Sequence, residues 1–133
     1  MNKSLLTDQG TIILYHGTAI ESALDILNNG LNVEKLVEIQ SKRVVQIGSG
    51  WYATESIDVA WFFASTALET MDQEGTVVEM ELFLEHLESL FEQGLAAKSE
   101  ILNVFFQGEQ IWFHLDALDF LNQNAVFRPY RGI

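Results

Sequence analysis

The sequence contains no cysteine and only one proline, Pro129, among its 133 residues. The absence of cysteine excludes a disulfide scaffold, a thiolate metal site and a thiol nucleophile. The scarcity of proline argues against long extended linkers. Because a chain of this length fits one compact domain, we predict a single domain over residues 1–133, with residues 1–10 as an N-terminal lead-in.

Basic residues and long apolar runs are also scarce. Seven Lys and Arg residues stand against 19 Asp and Glu residues, for a net charge of −12. A surface for duplex nucleic acid needs clustered Lys and Arg, so we expect no duplex partner. A nucleotide pocket stays compatible with this charge, since backbone N–H groups can bind a pyrophosphate. No apolar stretch approaches the roughly 20 residues that span a bilayer, and the first ten residues lack a signal-peptide pattern. We expect a cytoplasmic protein with no membrane partner.

Hydrophobic periodicity predicts strands and helices that do not strictly alternate, which favours the α+β class. Glu79 and Glu81 are expected on the wet face of their strand, and Ser56 is expected to cap a helix. The predicted strands are residues 11–16, 51–53, 76–83, 110–115 and 125–130. The predicted helices are residues 19–28, 57–70, 86–91, 96–106 and 116–122, and strand-like pieces lie within a loop at 31–49.

Three polar residues stand where chemistry is plausible. His16 ends a strand directly before Gly17, whose bare backbone allows a ligand to approach. Tyr52 follows Gly-Ser-Gly-Trp, and Glu109 stands at the mouth of the strand that begins near Ile111. Taken singly, each also fits a structural role: a surface histidine, a core aromatic after a turn and an exposed residue at a strand entry.

Taken in order, three blocks resemble the poly(ADP-ribose) polymerase catalytic domain. Residues 14–18 (Leu-Tyr-His-Gly-Thr), with a helix that ends in Gly-Leu at 30–31, are similar to its opening. Residues 48–53 (Gly-Ser-Gly-Trp-Tyr-Ala) and the helix at 56–62 resemble its Gly-x-Gly-Ile-Tyr-Phe-Ala block and the helix that follows. Residues 109–113 (Glu-Gln-Ile-Trp-Phe) resemble its Glu-Tyr-Ile-Val-Tyr strand. The resemblance covers a little over half of the chain and extends to compact bacterial members of the diphtheria-toxin, His-Tyr-Glu type.

This resemblance implies an ADP-ribosyltransferase-like fold, a split β-sheet core with short flanking helices, and NAD as a substrate. It implies a catalytic set of His16, Tyr52 and Glu109. In that set His16 bonds the adenosine ribose, Gly17 with Thr18 beside it holds the nicotinamide amide, Tyr52 packs against nicotinamide, and Glu109 bonds the 2′-hydroxyl of the nicotinamide ribose.

The resemblance also implies a second aromatic that stacks on nicotinamide. Phe62 occupies that position, but Trp61 and Phe63 flank it. The stacking ring is therefore one of these three neighbouring residues. No metal is expected. His86 and His114 are expected to be structural, since neither has a ligand-like spacing.

The function that follows is mono-ADP-ribosylation, in which the nicotinamide–ribose bond of NAD breaks and ADP-ribose passes to an acceptor. An NAD glycohydrolase and a non-catalytic nucleotide- or protein-binding module of the same fold are the main alternatives. Transfer of an RNA 2′-phosphate to NAD is disfavoured because the chain has only three arginines. A chance match by an unrelated α+β domain is the remaining alternative.

The acceptor is an unknown macromolecule, because its choice belongs to loops at 31–46 and 94–108 where the resemblance ends. Gln107-Gly108-Glu109 resembles a Gln-x-Glu element on the acceptor loop of some bacterial toxins. By analogy with small free-standing transferases, this chain is a candidate bacterial toxin or effector, delivered to another cell, with a neutralising protein partner.

Overall fold

A computed structural model describes residues 10–32, 34, 50–71, 74–102 and 107–130. These residues form six strands and four helices, which confirms the α+β class. The strands are β1 (Thr11–Ala19), β2 (Gly50–Ala53), β3 (Gly75–Phe83), β4 (Ala96–Leu102), β5 (Gln107–His114) and β6 (Val126–Pro129). The helices are α1 (Ile20–Asn29), α2 (Ile57–Met71), α3 (Leu84–Glu92) and α4 (Leu118–Asn124), and a 3₁₀ turn at Leu115–Ala117 precedes α4.

The strands form two antiparallel sheets of three strands each, in the orders β1-β3-β6 and β2-β5-β4. β1 pairs with β3 along its whole length, from Thr11 opposite Phe83 to Ala19 opposite Gly75. Among the described residues, one isolated backbone bridge joins the two sheets, in which Tyr15 and Thr54 exchange hydrogen bonds of 2.7 and 2.8 Å.

The main core lies between the inner faces of the two sheets and three helices, α1, α3 and α4. Alternate residues of the strands point into it, as the period of two requires. Its largest fully buried side chains include Trp51 and Phe113 from one sheet and Leu14 and Met80 from the other. Burial of such side chains contributes roughly 2 kcal/mol each, so this core dominates the stability of the fold.

Helix α2 packs on the outer face of β1 and β3 through small residues. Ala60 and Ala64 are buried there. A Cβ atom added to Gly17 would lie 1.8 Å from the Ala60 carbonyl oxygen, and one added to Gly75 would lie 1.8 Å from that of Ala64. Only glycine allows this approach, so the two glycines set the position of the helix on the sheet.

Local signals account for several helix ends. The Ser56 hydroxyl accepts a hydrogen bond from the Val59 N–H at 3.3 Å, as the predicted cap requires. Helix α1 ends at Gly30, whose φ is +79° and whose N–H bonds the Ile26 carbonyl. The Asn122 side chain then bonds both backbone groups of Leu31, at 2.8 and 2.9 Å, and thereby ties the end of α1 to α4.

The helix predicted over residues 96–106 is wrong where the structure describes it, because Ala96–Leu102 is strand β4. Ala, Lys and Glu favour a helix by propensity, but β4 pairs with β5 over seven residues and Ala96 is buried opposite Phe113. Tertiary pairing therefore overrides local propensity here. Residues 103–106, and the strand-like pieces predicted over 36–47, lie outside the described residues.

The face of β3 that was predicted to be solvent-exposed carries a half-buried network of ion pairs. Arg128 on β6 donates to Glu79 at 3.1 Å and to Glu81 at 2.7 Å, and the Thr11 hydroxyl also donates to Glu81. The Thr11 hydrogen bond and the Arg128 guanidinium lower the pKa of Glu81 below its ordinary value. These contacts connect β1, β3 and β6 across the outer face of the sheet.

No helix within the described ranges is both long enough and apolar enough to cross a membrane.

Candidate active site

The two sheets separate at the point where the predicted site residues meet. β1 continues beyond Tyr15 to Ala19, and β2 extends from Thr54 back to Gly50, yet the Tyr15–Thr54 bridge is the one pairing of these strands in the described chain. We call the gap between residues 16–19 of β1 and residues 50–53 of β2 the split. His16, Gly17 and Tyr52 all border it.

Gly17 presents its backbone to the split. Along a strand, successive N–H and C=O pairs point to opposite edges. Tyr15 directs its pair to β2, so Gly17 directs its pair the same way. The opposite residue of β3, Val77, uses its carbonyl to accept from the Tyr130 N–H instead. Within the described chain no backbone hydrogen bond from β2 reaches Gly17, so one donor and one acceptor lie side by side at the split.

The His16 side chain explains why the ladder stops. Its Nδ1 lies 2.5 Å from the Tyr52 carbonyl oxygen, which is the acceptor that the Gly17 N–H would use if the strands continued to pair. A carbonyl oxygen only accepts, so Nδ1 carries the proton and the neutral ring keeps Nε2 as an acceptor. His16 therefore acts as a wedge between the strands.

Tyr52 is half-buried and pairs with Trp112 across β2 and β5. Direct cross-strand partners share a face, so these two aromatic side chains lie together on the outer face of their sheet. Extension of the bridge register places Tyr52 beside Gly17. The ring of Tyr52 and the backbone of Gly17 therefore border the same part of the split.

Glu109 is held at the end of this arrangement by Thr54. The Thr54 hydroxyl donates to the Glu109 carbonyl oxygen at 2.8 Å and accepts from the Ser56 N–H at 3.1 Å. Thr54 is buried, whereas Glu109 is exposed. One row of contacts from Tyr15 through Thr54 to Glu109 thus fixes three neighbouring strands, and it leaves the Glu109 carboxylate open to solvent.

The predicted catalytic residues lie on adjacent strands but not on the same face of the sheet. By strand alternation, His16 and Glu109 share the inner face with Trp51 and Ile111, whereas Tyr52 points to the outer face. Thr18, predicted beside the cofactor, is buried on the same face as His16.

The three candidates for the stacking aromatic lie on α2. The Trp61 ring is 43% exposed and lies against Tyr130, the residue that follows β6. Trp61 and Phe63 are about 200° apart around the helix, so Phe63 lies on the opposite flank, and its ring meets that of Phe62 edge-on at 5.4 Å. Trp61 is thus turned toward β6, and the identity of the stacking ring among Trp61, Phe62 and Phe63 stays a prediction.

The other two histidines make local contacts. The His114 Nδ1 accepts from the Asp116 N–H at 2.9 Å and caps the 3₁₀ turn. The Asp116 carboxylate lies farther from this nitrogen, at 3.5 Å, and would pair only with a protonated ring. The His86 ring packs edge-on between Phe83 and Phe120.

No group of three or more His, Asp or Glu side chains in the described ranges lies close enough to hold a metal ion. The expectation that the reaction needs no metal stays a prediction.

Two residues of this region were missed by sequence reasoning. Thr54 stands between Ala53 and Glu55 with no motif to mark it, and its role appears only when β5 is in place. Trp51 was noted only within the block at residues 48–53. It is buried, and its contact with the His16 ring is not visible in any spacing.

No protein-family model, curated protein or solved structure matches this chain.

Proposed function

We propose that this chain is an NAD-dependent mono-ADP-ribosyltransferase with an ADP-ribosyltransferase-like fold, and that the split binds the nicotinamide end of NAD. The observation that carries the proposal is the unpaired backbone of Gly17 between His16 and Tyr52. A carboxamide offers an N–H donor and a carbonyl acceptor. It is therefore complementary to the N–H and C=O of Gly17, as a neighbouring strand would be.

The remaining groups at the split suit the rest of NAD. The His16 Nε2 is an acceptor for a ribose hydroxyl, given the donor role of Nδ1 toward Tyr52. The Tyr52 ring, with Phe62 or Phe63 from α2, provides the aromatic contacts that hold nicotinamide in place. Such positioning lowers the barrier because the reacting bond is already oriented when the ligand is bound.

Glu109 has the chemistry that the reaction needs. When the bond between nicotinamide and ribose breaks, its electron pair leaves with neutral nicotinamide, and the ribose acquires oxocarbenium character. A carboxylate hydrogen-bonded to the neighbouring 2′-hydroxyl stabilises that positive charge, as carboxylates do in glycosidases. The acceptor then attacks the sugar carbon and releases its proton. The exposure of Glu109 leaves room for the acceptor to approach.

The test is release of nicotinamide from NAD by the purified protein, alone and with cell lysate. Glu109→Gln should leave the fold and the affinity for NAD intact and lower turnover by about 10³-fold, because it removes a charge that acts on the transition state. Glu88→Gln, at an exposed position of α3, is the matched control and should retain full turnover. Dependence of release on lysate distinguishes transfer from hydrolysis.

Equal turnover in Glu109→Gln and Glu88→Gln would remove Glu109 from the mechanism. If the unsubstituted protein neither binds NAD nor releases nicotinamide under either condition, the proposal is wrong, and a non-catalytic module and an unrelated α+β domain remain as the alternatives.

A further inference from the structure

The buried indole of Trp51 lies against the imidazole of His16, with ring centroids 4.5 Å apart and planes inclined by 31°. This arrangement is close to offset stacking, in which one ring covers the face of the other. His16 is therefore restrained in two ways, since its edge is bonded to the Tyr52 carbonyl and its face is covered by Trp51.

Other aromatic rings in the core hold Trp51 in place. It is 1% exposed, its ring packs against Phe113 of β5 at 5.9 Å, and it meets Phe127 of β6 edge-on at 6.1 Å. Strands from both sheets thus fix the indole, and a fixed indole fixes the plane of the imidazole. Its Nε1–H finds no acceptor in the described chain, so packing rather than a polar contact sets its position.

We infer that Trp51 is a positioning residue for NAD binding, and that it acts through His16. Because Trp51 holds the plane of the imidazole, the ring could only flip over about its Cβ–Cγ bond. Such a flip would place a ring carbon, instead of Nδ1–H, at the Tyr52 carbonyl. One ring orientation and one tautomer therefore persist. The Nε2 acceptor is then set toward the ribose before the ligand arrives, and binding loses less side-chain freedom. This inference rests on the proposed function for its ligand.

The experiment compares Trp51→Leu with Phe113→Leu. Both variants remove an aromatic ring from the same core, but only Trp51 contacts His16. Two quantities are measured, the dissociation constant for NAD and the tautomer of His16 from long-range nitrogen–proton NMR. His114 serves as an internal reference, because its Nδ1 accepts a hydrogen bond and its neutral ring is therefore protonated on Nε2.

The expected result is a single Nδ1–H tautomer for His16 in the unsubstituted protein and in Phe113→Leu. In Trp51→Leu a mixture of tautomers and about tenfold weaker NAD binding are expected, and Trp51→Phe, which restores an aromatic face, should recover most of both. A single His16 tautomer and unchanged NAD affinity in Trp51→Leu would overturn the inference.

The unsubstituted protein also tests the inference without any variant, in case Trp51→Leu does not fold. Overhauser contacts between the His16 and Trp51 rings, together with one tautomer, support it, and a His16 that samples both tautomers overturns it. The tautomer is read without ligand. Absence of NAD binding therefore contradicts the proposed function, while the tautomer still decides whether Trp51 orients His16.

Discussion

The two edges of strand β1 differ in how their backbone groups are used. The edge toward β3 is paired from Thr11 to Ala19. Within the part of the chain that the structure describes, the edge toward β2 is paired only at Tyr15, and His16 and Gly17 follow at the split. A fully paired edge supports the fold and has no capacity left for a ligand. An edge that keeps a donor and an acceptor beside a histidine is suited to binding. One edge of β1 therefore contributes to stability, and the other is suited to ligand recognition.

The largest effect should come from crowding the outer face of the β1–β3 pair, where α2 packs closely on Gly75. Gly75→Ala places a Cβ 1.8 Å from the Ala64 carbonyl oxygen, so the backbone of α2 must move. We expect the free energy of unfolding to fall by about 3 kcal/mol, the upper end for overpacking. Urea unfolding measures it.

Gly94→Ala is the control for Gly75→Ala, since a Cβ there meets nothing within 4 Å and only its φ of +73° is unfavourable. That variant should lose about 1 kcal/mol. Equal losses at the two positions would show that α2 does not depend on the close contact.

A change at the open edge should affect binding more than stability. His16→Ala removes the wedge, so the Gly17 N–H becomes able to bond the Tyr52 carbonyl and the split closes. Affinity for NAD should fall about tenfold, which corresponds to about 1.4 kcal/mol, and amide exchange at Gly17 should slow. Calorimetry and hydrogen exchange measure the two effects.

His114→Ala, at a histidine that caps a turn, should leave the NAD affinity unchanged. If His16→Ala binds NAD as tightly as this control does, the pocket lies elsewhere.

Part of this contrast was predictable from sequence. The β-branched run before His16 predicted β1, and the periodicity after it predicted α1, because both signals are local. The split depends on where β2 leaves β1, and that depends on a hydrogen bond between a side chain and a distant carbonyl. No local pattern encodes such a contact.

The errors have the same origin. Residues 96–102 have helix-favouring composition, and only the neighbouring strand β5 makes them a strand. The closeness of α2 to Gly17 and Gly75 is likewise a property of the assembled sheet. Sequence therefore predicted the local elements that carry the candidate site residues better than it predicted the contacts around them.

On the far side of β3, the Arg128 network should contribute to stability alone. Arg128→Met removes both ion pairs with Glu79 and Glu81. Because Arg128 is partly exposed and its pairs are screened by solvent, we expect a loss of about 1 kcal/mol in unfolding free energy, with unchanged NAD affinity. Lys98→Met, at an exposed position of β4, should cost less than about 0.5 kcal/mol. An altered NAD affinity in Arg128→Met would show that the contacts on the paired side of β1 also influence ligand binding at its other edge.

The smallest effect concerns pH. The folded-state pKa of Glu81 lies below its ordinary value of 4.5, chiefly because Thr11 donates a hydrogen bond to the carboxylate. Glu81 therefore adds stability above about pH 4.5, and this is lost as the pH falls through the lowered pKa. Thr11→Val should reduce the difference in unfolding free energy between pH 7 and pH 3, whereas Thr76→Val should not. An identical acid profile for Thr11→Val and the unsubstituted protein would exclude this contact as a source of acid sensitivity.

The central claim, that the open edge of β1 receives the nicotinamide end of NAD, is tested most directly by an NMR titration of the labelled protein with NAD. The account predicts that the Gly17 amide and the Tyr52 signals shift in a saturable way, while the Gly75 amide of β3 keeps its position in the spectrum. A saturable response that leaves Gly17 unmoved, or no response at all, would contradict it.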